Sequence, residues 1–223
     1  YLLAASIQII NFTILIFIKI KKPGVTAKKI RPLKDILIQK TLIIAILAAA
    51  VGYSLMSFIM TATPLQIVNI CKLGNSASST VIQWHIIAMF APSFFTGSII
   101  SRFGNRKVML VGIILYAFSV FFGILGDTVL NFWIALFLCG LGWNFLYVGG
   151  SDIIAKSSLP EERAKVQGVS DFIISVFVAM CSFLAGYLHS NLGWEIMLFY
   201  TIIPILLIFI GIIIIKPQNL KLN

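Results

Sequence analysis

Long apolar runs separated by short polar turns dominate the sequence. Read against charge and turn signals, these runs predict seven helices of roughly the twenty residues that a helix needs to cross a bilayer. The predicted spans are residues 1–18, 42–66, 81–100, 108–126, 130–152, 167–188 and 196–215. The connections after the second span are short and turn-like, so consecutive helices are expected to be antiparallel neighbours.

Composition supports an all-α membrane protein. Of the 223 residues, 60% are hydrophobic and 11% are charged, and the mean hydropathy is +1.04. Soluble domains carry roughly 25% charged residues, so this composition excludes an ordinary soluble domain. The three cysteines are far apart and no phosphate-binding glycine loop occurs. No metal site, organic cofactor or ATP site is therefore expected.

The basic residues follow the predicted topology. The net charge of +10 would suit a nucleic-acid partner, but sixteen of the seventeen Lys and Arg residues fall on alternate loops, and Lys72 is the exception. Cytoplasmic loops retain Lys and Arg. The pattern therefore predicts a multi-pass protein whose carboxy terminus is cytoplasmic, and it disfavours nucleic acid as a partner. The short loops and the Ile- and Lys-rich composition favour a bacterial inner membrane.

One long connection divides the chain. Residues 19–40 carry eight of the seventeen Lys and Arg residues, and one predicted helix precedes them while six follow. We expect residues 1–18 to be the last helix of an amino-terminal bundle that lies mostly upstream. Residues 19–40 would be a basic cytoplasmic linker, residues 41–216 a six-helix bundle, and residues 217–223 a cytoplasmic tail. The upstream half of the same protein would then be a partner.

A loop between the third and fourth spans carries a family resemblance. Residues 97–107 read GSIISRFGNRK, which resembles the G-x-x-x-D-R-x-G-R-K loop of the major facilitator superfamily. Residues 159–168 are similar to that family's matching loop one repeat later. The resemblance covers nearly the whole chain and implies helices 6 to 12 of a twelve-helix transporter. It further implies secondary active transport of a small solute by alternating access.

The same loop has two readings. The resemblance implies a gating loop made of Gly97, Arg102, Gly104, Arg106 and Lys107, although Ser101 replaces the family's acidic residue. From the residues alone, the loop is a topology anchor in which Gly104 adopts a positive φ and the basic side chains favour one membrane face. Both readings stay open.

Two short motifs near the predicted cytoplasmic ends are read as structural. Ser158 and Glu161 flank Pro160 in a spacing that resembles a capping box. Asp152 has Lys156 four residues later, where the two side chains can pair on one helical face.

Polar residues within the spans indicate which helices line a pathway, because polar groups in hydrocarbon collect on faces turned to protein or to a wet cavity. The second and fifth spans each carry such a stripe, and the resemblance places the corresponding family helices on the central cavity. The candidate substrate-binding residues are Tyr53, Ser57, Thr61, Asn144 and Tyr147. The alternative is that the serine and asparagine join helices while the tyrosines only pack. Trp143 is read as either cavity wall or core, and Pro64 as a kink near the end of its span.

Two titratable residues within the spans are candidates for proton coupling. His85 could exchange a proton from the outer side, or it could be a hydrogen-bonded helix contact. Asp171 could exchange a proton from the inner side, but pairing with Arg163 or Arg102 is the favoured expectation.

The sequence bears on two other functional classes. An enzyme should show a catalytic constellation, yet His85 and His189 are distant and neither has an acid three or four residues away. A channel should show a filter or pore-lining repeat, and none is evident. A membrane scaffold without transport coupling stays open as an alternative.

Overall fold

The computed structural model describes residues 2–18 and 31–214, and every regular element in these ranges is helical. The chain divides into two compact units, one ending at Ile30 and the other beginning at Arg31. The first unit contains α1 (Leu2–Phe17). Residues 19–30 of the predicted linker and the predicted tail, residues 217–223, lie outside the described residues.

The second unit holds the remaining helices. They are α2 (Leu33–Leu37), α3 (Lys40–Pro64) with a π-helical extension (Leu65–Ile70), α4 (Asn75–Phe90), α5 (Ser93–Phe103), α6 (Asn105–Leu125), α7 (Val129–Lys156), α8 (Arg163–Leu192), α9 (Trp194–Tyr200) and α10 (Ile202–Ile214).

Five helical stretches in the described part are long and apolar enough to cross a bilayer. They are Lys40–Ile70, Asn105–Leu125, Val129–Lys156, Arg163–Leu192 and Trp194–Ile214. A sixth is the pair α4 and α5, if that bent pair counts as one span. These six coincide with the last six predicted spans, so the all-α membrane architecture is confirmed. Helix α1 lies where the first span was predicted and has 16 residues; its crossing stays a prediction.

Two prolines shape these helices. The predicted span over residues 81–100 lies within the pair α4 and α5, and the structure adds a bend of 43° between these two helices. Pro92 lies at that break; it lacks an N–H and its ring clashes with the carbonyl four residues earlier. After Pro64 the α3 helix continues as a π-helix, which agrees with the predicted distortion there.

Tight turns join consecutive helices. Gly104 has φ +83° between α5 and α6, as its place in the loop predicts, and its N–H donates to the Ile100 carbonyl at 2.8 Å. A side chain with a Cβ rarely adopts this conformation. Chain reversals of this kind place α5 and α6 side by side and antiparallel.

Helix α7 lies at the centre of the second unit and packs against α3, α4 and α6, while α3 also packs against α8. Hydroxyl groups join these helices inside the core. Tyr116 on α6 donates to the Gly52 carbonyl of α3 at 2.6 Å, and Ser119 donates to the Ala135 carbonyl of α7 at 2.7 Å. Such bonds satisfy backbone carbonyls and side-chain hydroxyls, to which lipid tails offer no hydrogen bond.

The two ends of the bundle differ in charge. We call the end with Arg102, Lys156 and Arg163 the basic end, and the end with Lys72, Asp127 and Glu195 the opposite end. Asn105 at the start of α6 contacts Gly149 near the end of α7, and Ser119 further along α6 contacts Ala135 near the start of α7. Helices α6 and α7 are therefore antiparallel, as predicted.

Candidate functional site

Four aromatic rings from three helices meet near the middle of the bundle. We call Tyr53 (α3), Phe90 (α4), Trp143 and Tyr147 (both α7) the aromatic cluster. Trp143 and Tyr147 stack with centroids 5.1 Å apart and planes 8° apart. Tyr53 meets both of them edge to face, at 5.6 Å from Trp143 and 5.4 Å from Tyr147. Phe90 lies 5.7 Å from Trp143. The two predicted tyrosines are therefore brought together.

The cluster belongs to an open face of α3. Tyr53, Ser57 and Met60 are half-buried and Thr61 is exposed, whereas most other side chains in this part of α3 are buried. The predicted stripe is therefore the side of α3 that packs least against other helices in the described part of the chain. Ser57 lies 2.6 Å from Ser182 of α8 through their hydroxyl oxygens, so its hydroxyl also joins two helices.

Trp143 has features of both interpretations, a wall of the cavity and a part of the core. Its side chain is 6% exposed and packs in the core cluster, yet it is also the ring that Tyr53, Tyr147 and Phe90 surround. Its indole N–H is buried and has no hydrogen-bond partner among the described residues. A buried donor without a partner is costly.

Asn144 lies on the closed side of α7. It is fully buried, and its amide nitrogen donates to the Met89 carbonyl at 2.7 Å and to the Ser93 hydroxyl at 2.6 Å. Its amide oxygen accepts from the Thr96 hydroxyl at 2.5 Å. These bonds hold α7 to both sides of the break between α4 and α5. The geometry matches the helix-joining alternative, because no atom of Asn144 reaches the open face.

His85 also joins α4 to α7. Its Nδ1 lies 2.7 Å from the Leu136 carbonyl oxygen, and because a carbonyl only accepts, Nδ1 carries the proton. The other ring nitrogen, Nε2, is buried and has no partner among the described residues. The side chain is fully buried, so His85 is a helix contact with one unused acceptor.

Asp171 lies on an exposed part of α8. Its carboxylate accepts from the Gln167 amide at 2.8 Å, one helical turn earlier. The expected ion pair with Arg163 or Arg102 is not formed within residues 31–214, where the ion pairs join other residues. Asp171 is therefore an exposed carboxylate on a helix that is poorly covered by the rest of the bundle.

The predicted gating loop is held by a residue that the sequence did not single out. Asn105 donates to the Gly149 carbonyl at 2.9 Å and to the Asp152 carboxylate at 2.8 Å. Asp152 also pairs with Lys156 at 2.5 Å, which confirms the expected pair. The loop motif gave no reason to select Asn105, because asparagine is a common turn residue.

The basic residues of the loop make weaker contacts. The Arg102 guanidinium lies 5.3 Å from the centroid of the Phe103 ring, and Lys107 and Gly97 are exposed. Arg106 is half-buried, and its Nε has no hydrogen-bond partner among the described residues. The exposed side chains of Arg102 and Lys107 can meet another surface, as either a gate or a topology anchor requires.

A buried carboxylate ties the segment before α2 to the loop between α7 and α8. Glu162 is 1% exposed and forms an ion pair with Arg31 at 2.7 Å, with a second guanidinium contact at 3.0 Å. It also accepts the backbone N–H groups of Arg31 and Leu159. The Arg31 guanidinium and these N–H groups lower the pKa of Glu162 to about 2. We call this set of contacts the Glu162 clamp.

The clamp replaces the expected capping box. The Ser158 hydroxyl is buried and has no hydrogen-bond partner in the described part, so the box predicted from Ser158 and Glu161 does not form. Glu162 accepts the Leu159 N–H instead. The same carboxylate also pairs with Arg31.

Loss of the Glu162 clamp should be visible in stability and in its pH dependence. We expect Glu162→Gln to destabilise the protein by about 2 kcal/mol near neutral pH, the scale of a charge-assisted hydrogen bond, with some screening because Arg31 is 42% exposed. Because the pKa of Glu162 is lower in the folded protein than in the unfolded chain, the ionised carboxylate stabilises the fold at pH values above the unfolded pKa. This stabilisation is lost as the pH falls through the folded pKa. The difference should therefore be constant above about pH 4.5 and shrink as the pH falls towards about 2.

Melting temperatures of the purified protein and the variant between pH 8 and pH 3 measure this difference. Glu195→Gln is the control, because Glu195 is exposed at the opposite end. A difference that grows on acidification would contradict the role given to the ionised carboxylate.

A polar contact at the opposite end was also missed. His189 Nε2 lies 3.0 Å from the Gln66 side-chain oxygen, which joins α8 to the π-helical extension of α3. The Gln66 amide nitrogen lies 3.5 Å from the Cys71 sulfur. Gln66 and His189 line a cavity of about 510 Å³ between these segments. Gln66 and His189 are 123 positions apart in the sequence, so no local spacing predicted their contact.

Bilayer-length helices packed into one bundle define a multi-pass membrane protein. The chain belongs to the Major Facilitator Superfamily, since the model of that family matches residues 42–221. This confirms the resemblance drawn from residues 97–107. Proteins of this superfamily are transporters, not enzymes.

Several curated proteins are similar to this chain. The Riboflavin transporter RfnT of Brucella anthropi is 39% identical over 202 residues, which are 89% of this chain and 50% of that protein. The uncharacterized MFS-type transporter YddS of Bacillus subtilis is 32% identical, over 64% of this chain and 33% of that protein. The chain thus spans half or less of the length of these relatives.

A solved structure shares the fold. The crystal structure of a D-xylose-proton symporter superposes with a TM-score of 0.67 at 16% identity, and the match covers 81% of this chain and 48% of the symporter. At this identity the likeness concerns the fold alone.

Proposed function

We propose that the complete protein is a secondary active transporter that moves a small solute by alternating access. In this proposal the seven helical segments correspond to helices 6 to 12 of a twelve-helix transporter. The open face of α3 and α7 would meet an amino-terminal half across the solute pathway. Transporters of this kind bind solute near the bilayer midplane between two repeats. The depth of the aromatic cluster within α3 and α7 supports this assignment.

The proposed topology places the basic end in the cytoplasm. Arg102, Lys156 and Arg163 at that end follow the retention of basic residues on the cytoplasmic side. Residues 1–18 would be the last helix of the amino-terminal bundle and residues 19–40 a cytoplasmic linker. Residues 41–216 would form the six-helix bundle, with residues 217–223 as a cytoplasmic tail in a bacterial inner membrane.

The aromatic cluster is the observation that carries the choice of solute. Flat aromatic rings suit a planar heteroaromatic molecule, which can stack on them. Riboflavin has this chemistry, and the relative that is 39% identical is a riboflavin transporter. We therefore propose riboflavin, or a closely similar flavin, as the solute.

Each predicted binding residue has a proposed role. Tyr53 and Tyr147 would stack on the solute, while Ser57 and Thr61 would offer hydroxyl groups along the same stripe of α3. Asn144 would act indirectly, because its three hydrogen bonds fix α7 against α4 and α5.

Proton coupling is a further part of the proposal. Asp171 is the better placed of the two candidates, since its carboxylate is exposed, whereas His85 is fully buried. In a complete transporter Asp171 would face the pathway from α8, where protonation could follow conformation. Asp171→Asn should flatten the pH dependence of uptake, and His85→Gln should leave its shape unchanged. An unaltered profile for Asp171→Asn would remove that residue as the proton carrier.

Uptake of radiolabelled riboflavin by cells that lack their own riboflavin transporter tests the proposed function. Cells that express the complete protein should accumulate riboflavin well above the vector control, and a protonophore should abolish the accumulation. No uptake by a protein that is present in the membrane and monodisperse would contradict riboflavin as the solute.

A further inference from the structure

A second cavity lies away from the aromatic cluster, between α3, α8 and the break from α9 to α10. Its volume is about 360 Å³. We call it the lateral groove. It is lined by Val51, Ser54, Leu55, Phe58, Phe177, Cys181, Leu184, Leu188, Tyr200, Thr201, Ile203 and Pro204. None of these side chains is charged, so the groove is built for an apolar occupant.

The few polar atoms of the groove offer little to a polar ligand. The Thr201 hydroxyl donates to the Leu198 carbonyl at 2.6 Å and is thus already satisfied. The Ser54 hydroxyl is buried without a hydrogen-bond partner in the described part. A water-soluble solute would lose its hydration and find only the Ser54 and Tyr200 hydroxyls and the Cys181 thiol as replacement partners here. The lateral groove is therefore unsuited to the solute proposed for the aromatic cluster.

The length of the groove corresponds to one leaflet. Along α8 the lining runs from Phe177 to Leu188, and a helix rises roughly 1.5 Å per residue, which gives a length of about 16 Å. This is about half of the roughly 30 Å thickness of the hydrocarbon core. Leu188 and Tyr200 lie nearest the opposite end of the bundle, so the groove runs from that side towards mid-depth.

The width favours a single hydrocarbon chain. A volume of about 360 Å³ spread along this part of α8 describes a narrow groove. A helix with its side chains is about 10 Å across and is too wide for this space. A helix of the proposed amino-terminal half is therefore a poor occupant, whereas an extended acyl chain fits.

The groove is continuous with an apolar outer surface. Phe183 on α8 is 81% exposed, and Ile203 and Leu207 on α10 are 58% and 66% exposed. In a membrane the neighbours of such a surface are acyl chains, and an unfilled groove would forfeit dispersion contacts on every wall.

We propose that the lateral groove binds one acyl chain of a membrane phospholipid, taken from the leaflet at the opposite end. Recognition is by shape and dispersion. Because no cation lines the groove, the headgroup contributes little, unlike sites that bind lipid through basic clusters. A chain in this position fills the space between α8 and α10 and braces both against α3.

Photo-crosslinking of the complete transporter in lipid vesicles tests the proposal. The probe is phosphatidylcholine with a diazirine in the middle of one acyl chain, and adducts are located by mass spectrometry. We expect adducts concentrated on the groove-lining Leu55, Cys181 and Leu184 rather than on the exposed Phe183, at similar yield when the probe is phosphatidylglycerol. Ser54→Ala should not change the yield, because an acyl chain makes no use of the hydroxyl.

Matched variants separate the groove from the general surface. Cys181→Trp fills the groove and should lower groove adducts at least about fivefold, while Phe183→Trp, two positions away on the exposed face, should leave them unchanged. The adduct pattern of the unaltered protein tests the proposal independently if Cys181→Trp fails to fold.

Three results would overturn the proposal. The first is an adduct yield along α8 that follows the exposure of each side chain and does not change in the Cys181→Trp variant. The second is modification of Cys181 by a membrane-impermeant maleimide, which would make the groove a water-filled part of the pathway. The third is a crosslink from the groove to the amino-terminal half in place of lipid.

Discussion

Replacing Tyr147 with alanine in the complete protein is expected to raise the KM for riboflavin, the proposed solute, between about fivefold and about 140-fold. The variant removes the ring that stacks on Trp143 at 5.1 Å and contacts Tyr53 at 5.4 Å. Stacking of a flat heterocycle on an aromatic side chain is worth about 1–3 kcal/mol, and 1.4 kcal/mol corresponds to about tenfold in affinity. Initial rates of uptake over a range of riboflavin concentrations measure the effect.

Two controls make the Tyr147 result specific. Tyr147→Phe retains the ring and should stay within about threefold of the unaltered protein. Tyr187→Ala removes a tyrosine that is 59% exposed on α8 and outside the aromatic cluster, and it should leave the KM unchanged. An unchanged KM for Tyr147→Ala would show that the cluster only packs.

Adding one methyl group at Gly140 is expected to destabilise the bundle strongly. A Cβ at this position would lie 2.7 Å from the His85 carbonyl oxygen and 3.0 Å from the Ala88 side chain. The first of these is backbone, so α4 and α7 must separate to relieve the contact. Overpacking of this kind costs about 1–3 kcal/mol, and separation would also strain the bond from His85 to Leu136.

Thermal unfolding of detergent-purified protein can be followed with a thiol-reactive fluorescent dye, because Cys139 is fully buried. Gly140→Ala should lower the melting temperature by several degrees. Gly186→Ala is the matched control, because a Cβ there meets nothing within 4 Å. Equal melting temperatures for the two variants would contradict the close approach of α4 and α7.

The helical architecture could be predicted from the sequence because the bilayer imposes a simple rule. Each helix must satisfy its own backbone hydrogen bonds and present about twenty apolar residues. The last six predicted spans obey this rule and match the structure. The break at Pro92 was missed because hydropathy is continuous across it, although the loss of a hydrogen bond at proline gave a usable signal.

The candidate site was predictable only in part. The stripe containing Tyr53 and Thr61 follows from helical periodicity, and it is the open face of α3. Periodicity also placed Asn144 on a stripe with Tyr147, yet the neighbouring α4 covers Asn144 and leaves Tyr147 half-buried. Which neighbour covers a polar side chain depends on helix packing, and a single sequence does not encode that directly.

The Glu162 clamp shows a similar limit. Arg31 and Glu162 are 131 positions apart in the sequence, and no local spacing links them. The capping-box pattern drew attention to Ser158 and Glu161 because it considers only four neighbouring residues. A tertiary ion pair outweighed that local preference.

The most direct measurement is the water accessibility of the open face of α3 in the complete transporter. The three native cysteines are first replaced, and a single cysteine is then introduced as Thr61→Cys or Leu207→Cys. Both positions are exposed, but only Thr61 belongs to the proposed pathway. A membrane-impermeant maleimide applied from outside should label the Thr61→Cys variant, riboflavin should protect it, and the Leu207→Cys variant should stay unlabelled. Equal labelling of the two variants, or labelling of Thr61→Cys that riboflavin does not alter, would contradict a solute pathway along this face.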